Sequence, residues 1–129
     1  MKRLTVLVAV LLLAGCSTGP RPATQIRPRS TATLSIVSPV PGETVTGRTL
    51  HVRLELRGGT LTPQTSSHLT PDRGHIHLSV DGRVITMAFG VTQDVPVTPG
   101  DHLLQAEFVA QDHFPFNPRV VATATFTVR

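Results

Sequence analysis

Six histidines carry most of the chemical potential of this chain, and two stand two residues apart in GHIHLSVDG, Gly74 to Gly82. On an extended strand, residues i and i+2 point to one side, about 6.6 Å apart. His75 and His77 so placed can converge on one ion, with nitrogen–metal distances of about 2.0–2.1 Å for zinc. Imidazole suits copper and nickel as well. His113, in QDHFPFNP, offers a third nitrogen if its loop reaches the same end of the domain. His68 is a candidate fourth ligand, with Asp72 or Asp112 as further ligands or orienting partners. A His-x-His pair also suits a solvated sheet face, so chelate and plain surface both stand open.

The other histidines read differently. His51 and His102 begin their strands at the opposite end. A rise of about 3.3 Å per residue puts His102 more than about 20 Å from the histidine pole. In PGDHLLQAEF it falls where sandwiches use a corner tyrosine whose tip bonds backbone near the strand's start. The chain has no Tyr, and a structural imidazole is expected there. Phe114 and Phe116 flank Pro115 in an aromatic-poor chain. With Asp112 they are candidates for a partner contact if they form an exposed apolar patch; one ring in and one ring out is expected. No catalytic arrangement is evident. Ser79 shares a strand face with His77 but has no nucleophile elbow, no motif pairs two carboxylates, and there is no Gly-rich phosphate loop. Catalysis is not expected.

The elements that must position these residues are strands. From Thr33 onward the apolar residues recur with period two between frequent turn signals. TLSIVS, Thr33 to Ser38, is the first strand, and PVPGETVTG after it breaks regular structure. LHVRLELR, Leu50 to Arg57, alternates with Leu50, Val52, Leu54 and Leu56 inward. A long polar connection, Gly58 to Arg73, leads to the His-x-His strand, where Ile76, Leu78 and Val80 take the core side. Asp81-Gly82 is a strong hairpin signal, and RVITMAF returns from Arg83 to Phe89. A weaker strand spans Val91 to Val97. HLLQAEFV, His102 to Val109, faces Leu104, Ala106 and Phe108 inward. AQDHFPFNP reads as a loop, and VVATATFTV closes the chain. About seven short strands in roughly 95 residues predict an all-β, immunoglobulin-like sandwich over 33–129.

The segment before it gives an address. Met1-Lys2-Arg3 is basic, and Leu4 to Ala14 is an apolar run of eleven residues. Spanning a bilayer takes about 20, so 1–15 reads as a signal peptide to be removed. It ends in LAGC, Leu13 to Cys16, which resembles the lipobox of bacterial lipoproteins. That resemblance implies export, cleavage before Cys16, and acylation of Cys16 (palmitate among the acyl chains). Cys16 is the single cysteine, and an unpaired thiol in an oxidising compartment otherwise lacks a purpose. Each buried methylene contributes about 0.8 kcal/mol to membrane binding, so the expected location is lipid-anchored on the extracytoplasmic face. Residues 16–32, rich in Pro, Ser, Thr and Arg, read as a disordered tether. The net charge of +4 includes Lys2 and Arg3; without them ten scattered arginines face eight acids. No basic run marks a nucleic-acid partner, and a monomer is expected.

GHIHLSVDG followed by TPGDHLLQAEFVAQDHFPFNPRVVATATFTV resembles a family of exported bacterial domains of unknown function. Its pattern is His-x-His before an Asp-Gly turn, then Pro-Gly-x-His-x-Leu, then Asp-His with prolines nearby. Here those positions are His75, His77, Asp81, Gly82, Pro99, Gly100, His102, Leu104, Asp112, His113, Pro115 and Pro118. The commonest form has further histidines where Gly74 and Ile76 stand. The resemblance implies the sandwich and the importance of these histidines, and supplies no activity. A looser likeness is to periplasmic copper-resistance sandwiches, whose mature N-terminal histidine ligand has no counterpart at Cys16. Two functions follow as expectations: a lipoprotein binding copper or zinc at the histidine pole, or an interaction module that contacts protein or envelope polymer without metal.

Overall fold

The computed structural model describes residues 25–129. The expected signal peptide and Cys16 lie outside the described residues. Among the described residues nine strands run in order: β1 (Thr33–Ser38), β2 (Glu43–Val45), β3 (Thr49–Arg57), β4 (Thr60–Leu61), β5 (Arg73–Val80), β6 (Arg83–Ala88), β7 (Thr92–Pro96), β8 (Gly100–Ala110) and β9 (Pro115–Val128). They form a three-stranded sheet, β1-β3-β7, and a six-stranded sheet, β2-β9-β8-β5-β4, with β6 also paired to β5. Strict alternation in β3 aims Leu50, Val52 and Leu54 into the core. There they meet Ile76 and Leu78 of β5, Leu104, Ala106 and Phe108 of β8, and Phe126 and Val128 of β9.

Two strands fall in stretches that read as loops. β2, inside PVPGETVTG, pairs parallel to the end of β9, and β4 pairs parallel to Arg73 and Gly74 of β5. Each is two or three residues long. Such short edges are set by the neighbour they hydrogen-bond to, so local sequence carries little trace of them. The third difference is β9. QDHFPFNP reads as one loop, yet the strand begins at Pro115, paired with Val109, and rejoins at Val120 opposite Phe108. The intervening residues bulge, which accommodates Pro118 where a regular ladder could not. The bulge turns Phe116 inward against Phe108, with ring centroids 5.1 Å apart.

The hairpin between β5 and β6 is built as its residues dictate. Val80 pairs with Arg83, leaving Asp81 and Gly82 as a two-residue turn with φ of 51° and 80°. Positive φ at both positions is the type I′ requirement. Asp81 also accepts from the Leu103 amide at 2.9 Å and faces His102 Nδ1 at 2.7 Å. The other ring nitrogen of His102 lies 2.7 Å from the Thr98 carbonyl oxygen. This is the corner role expected for His102. Both partners are acceptors, so both nitrogens carry protons and the ring is an imidazolium. Its pKa is raised above 6.5, first by Asp81 and then by Thr98.

The corner's contribution to stability is therefore complete below pH 6.5 and is lost as pH rises through the raised His102 value. In an NMR titration the His102 ring protons are expected to show a midpoint above 6.5, and Asp81→Asn is expected to lower it. A wild-type midpoint at or below 6.5 excludes the imidazolium corner.

Part of the expected tether is laid onto the domain. Asp72, at φ 58°, accepts from the Ser30 hydroxyl at 2.7 Å and from the Thr31 amide at 2.7 Å. Ala32 is buried in the core. The Arg27 guanidinium donates to both Asp112 oxygens, at 2.5 and 2.9 Å. Composition alone makes this stretch look solvated; two acids far along the chain hold it down.

Candidate metal centre

β5 carries His75 and His77 on the outer face of the six-stranded sheet, away from Ile76 and Leu78. That face ought to be wet, yet His75 is only 1% exposed. Three neighbours cover it. The β8–β9 turn folds back, with the His113 amide donating to the Ala110 carbonyl at 3.0 Å. The β4–β5 connection runs beside that turn, where the Ser66 amide donates to the Gln111 carbonyl at 3.2 Å. Phe89, just past β6, sets its ring edge-on to His75 with centroids 5.6 Å apart.

The turn brings in His113. Its φ is 67°, a left-handed conformation that histidine adopts more readily than most non-glycine residues. His113 Nδ1 then lies 2.8 Å from His75 Nε2, and His77 Nε2 lies 3.2 Å from the same atom. All three ligand nitrogens fall within 4.8 Å of one another. For nitrogens bound tetrahedrally at about 2.0–2.1 Å, the separation is about 3.3–3.4 Å, so small ring rotations suffice to seat one ion. His113 Nε2 faces Thr65 Oγ1 at 3.2 Å. With Nε2–H donating to Thr65, Nδ1 presents its lone pair inward, which is how metal-bound imidazoles are commonly oriented.

Electrostatics favour the lone-pair form. Burial, with smaller contributions from His113 and His77, pulls the His75 pKa from 6.5 to about 4. Burial lowers His77 too, helped by His113 and opposed by Glu107. Both rings are neutral near pH 7. Glu107 pairs with His77 across β5 and β8, but Arg119 grips its two oxygens at 2.7 and 2.6 Å. Asp112 is gripped likewise by Arg27, which holds its carboxyl below the usual range. Both nearby carboxylates are thus committed to arginines.

The fold is an immunoglobulin-like β-sandwich. The structure resembles the fibronectin(III)-like modules of CbhA from Clostridium thermocellum, with a TM-score of 0.55 and 17% identity over 74% of this chain and 94% of that one. A PKD domain from a human protein aligns more loosely, with a TM-score of 0.42 and 9% identity over 86% and 91% of the two chains. No family model matches the sequence, and no curated protein is similar to it.

Of the four candidate ligands, the sandwich brings together His75, His77 and His113. His68 is corrected: it is exposed, outside the cluster, and among the described residues only its backbone is engaged, by Ser66. The β4–β5 connection uses Thr65 to approach the site, and His68 lies beyond that contact. Asp72 is spent on residues 30–32. Among the partner candidates, Phe114 is 63% exposed with the Arg27 guanidinium 5.7 Å from its ring centre. Phe116 is corrected, being a core residue at 1% exposure. Asp112 is corrected as well, because its carboxylate is taken by Arg27. Sequence reasoning missed Thr65, Glu107, Arg119 and Arg27 around the site. Only Glu107 left a signal, a carboxylate on the outward parity of β8.

Proposed function

We propose that this chain is a membrane-anchored extracytoplasmic lipoprotein whose sandwich binds a transition metal, copper or zinc, through His75, His77 and His113, without catalysing a reaction. The observation that carries this reading is the convergence of three imidazole nitrogens from two distant segments at one largely buried point. Cys16, at the end of LAGC, supplies the anchor in this reading. The metal adds stability by tying the β8–β9 turn to β5.

The test is thermal unfolding of the full chain in detergent, titrated with Cu(II) and with Zn(II). Metal at 100 times its dissociation constant stabilises by about 2.7 kcal/mol, a rise in Tm of about 10 °C. The rise is expected to vanish in the His75→Ala/His77→Ala double variant and in His113→Gly. Glycine keeps the positive φ of the turn, so this second variant removes a ligand while sparing the fold. A flat response of the wild type to both metals, and to Cu(I) under anaerobic conditions, removes the metal reading. The exposed Phe114 ring then favours the interaction module, and Phe114→Ser becomes the variant to use against envelope fractions.

A further inference from the structure

The three imidazoles leave a tetrahedral site one donor short, and the strand register supplies a candidate. Met87 of β6 is the direct partner of His77 of β5. Directly opposed residues of an antiparallel pair lie on the same face, with Cβ atoms about 4.5–5.5 Å apart. Phe89 follows two residues later with the same parity, and its ring packs against His75. That contact places this side of the β6 end over the histidines. Met87 is 51% exposed, an apolar side chain left at the site's edge and not packed into the core. Its three side-chain torsions let the sulfur reach an irregular target.

Resting on the metal reading above, we propose that the Met87 thioether completes the site and that the site is built for copper, holding Cu(I) in preference to zinc. Three observations converge on this. Hard oxygen donors are withheld, since Asp112 and Glu107 are each held by a bidentate arginine. What remains is imidazole nitrogen and thioether sulfur, and soft sulfur ligands select Cu(I). Such a donor set is also uncharged. The cost of placing an ion in a poorly solvated site rises steeply with its charge, so a monovalent ion is favoured over a divalent one where no anionic ligand offsets the charge. The Phe89 ring limits the water that reaches His75.

The experiment is an anaerobic Cu(I) titration of the full chain in detergent against a chromophoric Cu(I) chelator, with a parallel Zn(II) competition. The variants are Met87→Leu and His113→Gly. Met87→Leu conserves volume and apolarity, and its metal-free Tm should match the wild type. The expected result is a loss of Cu(I) affinity of about tenfold or more in Met87→Leu, with Zn(II) affinity changed by less than about twofold. Met87 and Met1 are the two methionines, so a methyl-labelled sample should show a single methionine signal moving on Cu(I) addition. If Met87→Leu holds Cu(I) as tightly as the wild type while His113→Gly loses it, the thioether proposal falls and the three-histidine site stands. Equal weakening of both metals in Met87→Leu also overturns it. If the wild type binds neither metal, the metal reading fails together with this one.

Discussion

Replacing Gly74 with alanine is expected to destabilise the domain by more than about 3 kcal/mol, beyond the usual cost of an overpacked core position. A Cβ built on Gly74 sits 2.8 Å from the carbonyl carbon of Val109, nearer still to its oxygen, and 3.2 Å from the Cα of Ala110. All of these are backbone atoms of β8, so no rotamer change can give way. Relief requires β5 and β8 to part where Gly74 pairs with Ala110 and His75 with Val109. That is one residue from the His75 imidazole, so the substitution should also abolish any metal response. Gly82, with open space around its Cβ position, provides the contrast: Gly82→Asn keeps a residue tolerant of positive φ and should cost far less. Chemical denaturation of the two variants checks the pair. A Gly74→Ala domain as stable as the wild type would mean the strands are not this close.

The metal-free protein is expected to lose stability as pH falls from about 6.5 to about 4, by up to about 3 kcal/mol from His75 alone. The folded-state pKa of His75 is about 4 against an ordinary 6.5, chiefly because burial disfavours the charged ring. The unfolded chain therefore takes up the proton first. The His75 contribution is whole above pH 6.5 and drains away as pH drops through the window. His77, lowered for the same reason, acts in the same direction. The His102 corner acts with the opposite sign, since its pKa is raised. Below pH 6.5 its contribution is constant and does not mask the loss. Asp72, Asp81 and Asp112 are lowered from 3.8, so their contributions disappear only in stronger acid. Urea midpoints measured across this range with a chelator present should decline for the wild type and flatten for His75→Gln. Parallel curves for the two proteins would show that the His75 ring titrates alike in the folded and unfolded chains.

Much of the sandwich was legible because alternation is a local property. TLSIVS, the inward leucines of β3 and the inward face of β8 each follow from period two. Asp81-Gly82 announced its turn through the backbone conformations those residues tolerate. The same local logic put His75 and His77 on one face and predicted one buried and one exposed ring in HFPF. It also gave His102 its corner, where a polar ring has an acid and a carbonyl within reach.

What the alternation could not say is what lies on top of a sheet's outer face. His75 is buried because a turn, a connection and Phe89 close over it, and that depends on contacts between segments far apart in the chain. His113 joins His75 across 38 positions, and Arg27 joins Asp112 across 85. Neither pairing has a periodic trace. The bulge at the start of β9 decided that Phe116 enters the core. Asp112 became a clamp for Arg27, while His68 was left in solvent. Residue types and spacing determined an all-β domain with two imidazoles on one strand face. The packing of non-local loops over that face decided that a third imidazole meets them and that the nearby carboxylates are withheld.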